Sequence, residues 1–189
     1  SKKDKNLIIP DQYHSNKCLV AKANNPYPKC DALVTKDNSL ILGITAADCV
    51  PIIFYDLENQ VIGIAHAGWK GLVKGVIHNT VKKMISLGAQ KKSIKSIIGP
   101  CIRVKSYEVN EEFVNKLKTQ YQRFAVRQMH NIYFDLPKLA KYILSESNIS
   151  SVHDIKKNTF SDKNYFSFRE SKKKKQKDYG RNLNLISLI

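Results

Sequence analysis

The chain has 189 residues, within the usual size of one domain. Its 42% hydrophobic and 25% charged residues suit an ordinary packed core and argue against global disorder. The longest apolar runs, 50–55 and 61–65, fall far short of the ~20 residues that span a bilayer. No apolar stretch of the secretory type follows Ser1–Lys5, and four cysteines without dense spacing make no disulfide framework. The expectation is a soluble, cytoplasmic protein of one domain with no membrane partner.

The formal net charge is +16, which on its own would raise a nucleic-acid partner. The basic residues are 27 Lys and only 5 Arg, beside 15 Asn and 20 Ile. Residues with A/T-rich codons dominate that surplus, so genome composition accounts for much of it. The Arg forks favoured for phosphate and base-edge reading are scarce. Nucleic acid is therefore not the expected partner.

In chain order, short extended runs are expected at 18–22, 31–35 and 40–45. A hairpin follows, 51–55 and 60–66, around the polar turn Asp56-Leu57-Glu58-Asn59. Gly68 to Gly71 opens a helix whose apolar face is Val73, Val76, Ile77, Val81, Met84 and Ile85, and Gly88 ends it. A strand at 94–98 stops at Gly99-Pro100. Asn110-Glu111-Glu112 reads as the cap and acidic first turn of a helix carrying Phe113, Leu117 and Tyr121. Asp135 and Pro137 start a further helix, and strands at 165–168 and 183–188 close the chain. The run Glu170–Tyr179, with Lys172–Lys175 and Lys177, reads as a solvated basic loop. Strands and helices mix without regular βαβ alternation. The fold class expected is α+β, a single layered domain with a mixed β-sheet and flanking helices.

Chemistry concentrates in Thr45-Ala46-Ala47-Asp48-Cys49-Val50-Pro51 and in Ile64-Ala65-His66-Ala67-Gly68-Trp69-Lys70-Gly71. If the turn joins the two strands with Tyr55 facing Gln60, Cys49 lies directly opposite His66, with Cβ atoms about 4.5–5.5 Å apart. A one-residue slip would put them on opposite faces. A thiol beside an imidazole supports either a thiolate nucleophile or a site for a borderline metal such as zinc. Unremarkable packing of a small thiol beside a histidine is the third reading. Gly68 and Gly71 permit close backbone approach and a helix start near the pair, which suits an anion.

At this point the sequence resembles the YfiH-type laccase-domain family, also called multicopper polyphenol oxidases or peptidoglycan-editing factors. Gln12-Tyr13-His14 resembles its Q-x-H segment and Cys30-Asp31-Ala32-Leu33-Val34-Thr35 its aspartate-containing strand. Residues 45–51 resemble T-A-D-C-V-P with one additional alanine, and 66–71 resemble H-A-G-W-R-G with Lys70 in place of Arg. Gly99-Pro100-Cys101-Ile102, Tyr107-Glu108-Val109, Asp135-Leu136, Phe166-Ser167-Phe168-Arg169 and Gly180-Arg181 follow in the family's order. The resemblance covers nearly the whole chain, 1–189. Members usually begin a few dozen residues before the Q-x-H segment, so an N-terminal section is expected to be absent, and low turnover with it.

The resemblance implies a metal held by His14, Cys49 and His66, zinc in the first place and copper as the other candidate. It implies purine nucleoside chemistry: phosphorolysis of adenosine, inosine or methylthioadenosine, and adenosine deamination. The small-molecule partners are then purine nucleosides and phosphate. Cys49, His66 and Asp48 are the candidate catalytic residues, and Lys70 and Arg169 the candidate substrate or phosphate binders. Asp48 next to the thiol either moves a proton or caps the turn. A true multicopper oxidase holds four coppers with about ten histidines, and this chain has five, so phenol oxidation would be a side activity of copper-loaded protein. The competing class is a metal-free Cys49–His66 hydrolase or deamidase, and a third is a basic binding module without catalysis. The thiols Cys18, Cys30 and Cys101 are expected to stay reduced, and His78, His130 and His153 to lie at the surface or on helices.

Overall fold

The protein is described from a computed structural model covering residues 5–189. Its strands in the first half are β1 (Asn6–Ile8), β2 (Cys18–Val20), β3 (Ala32–Thr35), β4 (Leu40–Ala46), β5 (Val50–Asp56) and β6 (Val61–Ala67). Those that follow are β7 (Lys95–Ile98), β8 (Glu108–Val109), β9 (Ala125–Gln128), β10 (Asn131–Phe134), β11 (Val152–Asp154) and β12 (Asn182–Ser187). The helices are α1 (Trp69–Lys74), α2 (Val76–Ser86), α3 (Glu111–Asn115), α4 (Thr119–Gln122), α5 (Leu136–Glu146) and α6 (Phe168–Lys173).

A six-stranded mixed sheet runs in the order β11-β7-β5-β6-β3-β2, with β2–β3 and β7–β11 parallel. A three-stranded sheet, β1-β4-β12, packs against one face of it, and α1, α2 and α5 cover the other. The architecture is α+β with mixed sheets and flanking helices, as expected. Alternation along the strands sorts the side chains between the layers. Leu33, Ile62 and Ile64 meet Ile8, Leu40, Leu42 and Ile44 from the small sheet. Val34, Val61 and Ala65 meet Leu72, Val76, Ile77, Val81 and Met84 from the helices. Strand β6 is therefore buried throughout, on both faces. Packing is tight at Gly63, where a Cβ would lie 3.1 Å from Val34 Cγ1 and 3.3 Å from Met84 Sδ, so both neighbours would have to give. The helix layer rests on that gap.

Four expectations are corrected. The hairpin pairs Asp56 with Val61 and Pro51 with His66, a two-residue shift from the expected register. The cause is the Asp56 carboxylate, which accepts from the Asn59 main chain at 3.2 Å and its side chain at 2.8 Å while Gln60 turns to a φ of 52°. That moves the four loop residues to 57–60. The helix expected to run unbroken from Gly68 to Gly88 splits at Gly75, whose φ of 94° ends α1 and starts α2. The helix expected after Asn110 does start there, with Asn110 accepting from Phe113 N at 2.9 Å, but α3 stops and α4 begins anew at Thr119. Residues 165–168 form no strand: Ser167 accepts from Glu170 N at 3.1 Å and caps α6, so the first part of the basic run is helical. Strands β1, β8, β9, β10 and β11 were beyond the pattern reading.

The C-terminal half is tied to the main sheet by Asp154. Its carboxylate takes a bidentate fork from Arg103, 3.1 Å from Nη1, and Lys141 Nζ of α5 at 2.7 Å. Burial opposes ionisation, but these partners outweigh it and hold the carboxyl well below its ordinary 3.8. A lowered carboxylate contributes stability above 3.8 that is lost as pH falls through the folded value. Asp154→Asn should therefore lower the unfolding free energy by about 2 kcal/mol at pH 7. Urea titrations should show the gap to wild type narrowing once pH falls below about 3.8. A gap unchanged between pH 7 and pH 3 would remove the ion pair as its cause.

Candidate metal centre and its cavities

Three side chains from separate parts of the chain converge beside the ends of the inner strands β5 and β6. His14 comes from the segment before β2, Cys49 from the connection between β4 and β5, and His66 from the end of β6. Their donor atoms all lie within 4.8 Å of one another. Cys49 Sγ is 3.8 Å from His14 Nε2, and the two imidazoles stand edge to face with centroids 4.9 Å apart. The corrected register leaves this meeting intact, because a shift of two residues preserves which face a side chain occupies. Pro51 rather than Cys49 sits directly across from His66, and Cys49 reaches it on the diagonal.

Gly68 closes the back of the cluster. A Cβ there would sit 2.9 Å from Cys49 Sγ and 3.0 Å from His14 Cδ2, so only glycine lets the backbone pass. His14 itself holds a φ of 61°, uncommon for a residue with a side chain. The fully buried Asp31 opposes that strain, accepting from the main-chain N–H groups of Tyr13, His14 and Ser15. It also accepts from Ser15 Oγ at 2.7 Å and His66 Nδ1 at 2.9 Å.

Charge follows this geometry. Burial raises the Asp31 carboxyl, but its donors from His66 and Ser15 bring it down to about 2. Burial opposes a charged His66, and Asp31 and Cys49 outweigh it, lifting the ring to about 9. Desolvation raises the Cys49 thiol, and hydrogen bonds with His14 and His66 outweigh that, lowering it to about 7. Burial pushes the other thiols up, Cys18 and Cys101 to about 12 and Cys30 to about 11. All four thiols are free, and Cys49 is the one primed as a thiolate.

A cavity of about 410 Å³ opens on one side of Cys49, walled by Trp69, Lys70, Tyr107, Leu136 and Arg169. A second, of about 380 Å³, lies on the His66 side between Gln12, Thr45, Phe168, Tyr179 and Arg181, and shares His14 and Cys49 with the first. The aromatic wall is braced edge to face, Trp69 on Phe113 at 5.2 Å and Phe113 on Phe134 at 5.2 Å. Lys70 is exposed, with Nζ 5.7 Å from the Trp69 ring centroid. Arg169 lies 5.2 Å over Tyr107 and donates from Nη1 to Glu108 O at 2.6 Å. Asp48 lines the first cavity, but its carboxylate accepts from Thr159 Oγ1 and from Arg169 N, both at 2.7 Å. Its φ is 89° and its carbonyl accepts from Ile102 N at 3.0 Å, so its contacts are those of a tether holding three segments to the thiol loop.

His130 and His153 are exposed, and His78 is exposed with Nδ1 2.6 Å from Ser147 Oγ, all apart from the cluster. Sequence reasoning assigned no role to Asp31, Tyr107, Phe168 or Arg181. Asp31 carried a usable signal, one acid heading an otherwise apolar strand. The rest of these lie in segments whose only mark was the family resemblance.

Among the described residues no helix is long and apolar enough to cross a membrane. A protein of Rickettsia conorii called purine nucleoside phosphorylase RC0672 is 32% identical over 194 residues, covering 99% of this chain and 79% of its own. A protein of an unknown prokaryotic organism called adenosine deaminase RL5 is 32% identical over 124 residues, 59% of this chain and 47% of its own. The crystal structure of the Bacillus licheniformis protein YfiH superposes with a TM-score of 0.83 at 25% identity, over 97% of this chain and 74% of that one. Residues 1–189 match the sequence model of a family described as multi-copper polyphenol oxidoreductase laccase, and the chain belongs to that family.

Proposed function

We propose that the chain is a metal-dependent purine nucleoside enzyme that carries out phosphorolysis of adenosine, inosine or methylthioadenosine and deamination of adenosine. The observation that carries this reading is the convergence of His14, Cys49 and His66 beside an aromatic, basic cavity. The names of the relatives support the substrate class. One thiolate and two imidazoles are a donor set for zinc, three protein ligands leaving a position for water or substrate. Donor separations of 3.8–4.8 Å fit a tetrahedral ion after small adjustment. Copper is the other candidate on softness alone. When bound, zinc supplies Lewis acidity that makes water a nucleophile near neutral pH.

The protein's own residues account for the rest. Trp69 and Tyr107 offer flat apolar walls for a purine, and Lys70 and Arg169 hold positive charge where a phosphate would sit. Phosphorolysis forms a bond from phosphate oxygen to ribose C1′ and breaks C1′–N9, and the purine leaves with a proton. Deamination adds water at C6 and expels ammonia. Only the first needs a bound free anion. Asp48 acts in this reading by holding the Arg169 main chain and the Cys49 loop, with no proton transfer required of it.

A second reading is favoured by the Cys49–His66–Asp31 array: a metal-free thiolate paired with a protonated His66, with Asp31 orienting the ring. Chelation separates the two, since thiol chemistry survives it.

Cys49→Ala should abolish both phosphorolysis and deamination and bring zinc content, by elemental analysis of protein purified without added metal, to background. Full adenosine turnover by this variant would defeat both readings of Cys49. Amide or ester hydrolysis that survives chelation and needs Cys49 would favour the thiol reading. Lys70→Ala should raise the KM for phosphate about 10-fold while leaving deamination within about 2-fold, the loss expected of one charge-assisted contact. Equal loss in both reactions would move the phosphate site elsewhere.

A further inference from the structure

We infer that Asp31 is the positioning residue of the metal centre, fixing the His66 tautomer and the His14 main chain through one carboxylate oxygen while the other holds the flanking residues. The inference rests on the reading of His14, Cys49 and His66 as a metal site. Asp31 is 0% exposed and touches neither cavity, so it acts through the histidines. Its Oδ1 accepts from His66 Nδ1 at 2.9 Å and from His14 N at 3.0 Å. Its Oδ2 accepts from Ser15 N at 2.6 Å, Ser15 Oγ at 2.7 Å and Tyr13 N at 3.3 Å.

Every one of these partners donates. An ionised carboxylate has no proton to give, so the proton of the His66–Asp31 bond sits on His66 Nδ1. The lone pair of His66 is then left on Nε2, the nitrogen available to the cluster. The same carboxylate binds three successive main-chain N–H groups and so holds His14 at its positive φ. Two donors 52 positions apart in the chain are thus set by a single side chain.

Asparagine has the same shape and cannot do this. With its NH₂ in place of Oδ2, it would confront two main-chain N–H groups, which cannot reverse their polarity. With its NH₂ in place of Oδ1, it would face one main-chain N–H and His66 Nδ1, and the ring can respond by moving its proton to Nε2. The second arrangement leaves fewer opposed donors. It withdraws the His66 lone pair from the cluster.

The test is long-range ¹H–¹⁵N NMR on metal-free protein at pH 7.5, with zinc affinity measured by competition against a chromophoric chelator. In wild type, His66 Nδ1 should carry a proton whether the ring is neutral or charged. In D31N, Nδ1 should be bare, and zinc affinity should fall about 10–100-fold, the range for losing an outer partner of a histidine ligand. A bare Nδ1 in wild type overturns the inference, and that result does not require the variant to fold. A protonated Nδ1 in folded D31N, or zinc affinity within about 2-fold of wild type, overturns it as well. Wild type that binds no zinc would defeat the metal reading of the preceding section, while the two Nδ1 spectra would still decide what Asp31 does.

Discussion

A carboxylate sealed from water and surrounded only by donors is the constraint on which this architecture turns. Removing Asp31 from solvent is costly unless each lone pair is matched, and here five donors match it. Such a network is cooperative, because each donor strengthens the acceptor for the others in a low dielectric. The main-chain N–H groups of 13–15 all bond to Asp31, the residue just ahead of β3, which sets the path of that segment. The end of β6 is drawn to the same point by His66. Strand order places β3 next to β6, so the acid and the imidazole meet as neighbours in one sheet.

The layers explain why the cluster forms at the ends of the inner strands and not along their length. Along β6, odd positions turn toward the helices and even positions toward the small sheet. His66 is an even position near the strand's end, where β4 has given way to the connection that carries Cys49. Apolar contacts fill both faces up to that point, and polar ones take over beyond it. Gly63 and Gly68 mark the two places on this strand and its exit where the backbone itself is the packing surface.

Much of this was legible from side-chain patterns, and the failures have separate physical causes. The mixed-sheet class, the hairpin and the caps at Asn110 and Asp135 followed from alternation and short-range hydrogen bonding, which a sequence displays directly. The hairpin register did not, because it depends on Asp56 folding its carboxylate back onto Asn59 and onward to Gln90 N and Ser93 Oγ, a contact made across 34 to 37 positions. The meeting of Cys49 with His66 survived only because the error was an even number of residues. Residues 165–168 had strand-like composition, and the Ser167–Glu170 cap overrode it. The approach of His14 was legible only by resemblance, since spacing alone cannot show a positive φ held by a distant acid.

The tether at Asp48 has a consequence for how the molecule comes into being. Its partners Thr159 and Arg169 are 111 and 121 positions downstream. His14, Cys49 and His66 all emerge during synthesis long before those partners exist. A nascent chain therefore carries this thiol and both imidazoles before either cavity is walled. Contacts of such long span are slow to form, since the chain entropy of the intervening loop is lost first. The Cys49 loop and the cavity walls would be among the last parts to settle, after His14 and His66 have met Asp31.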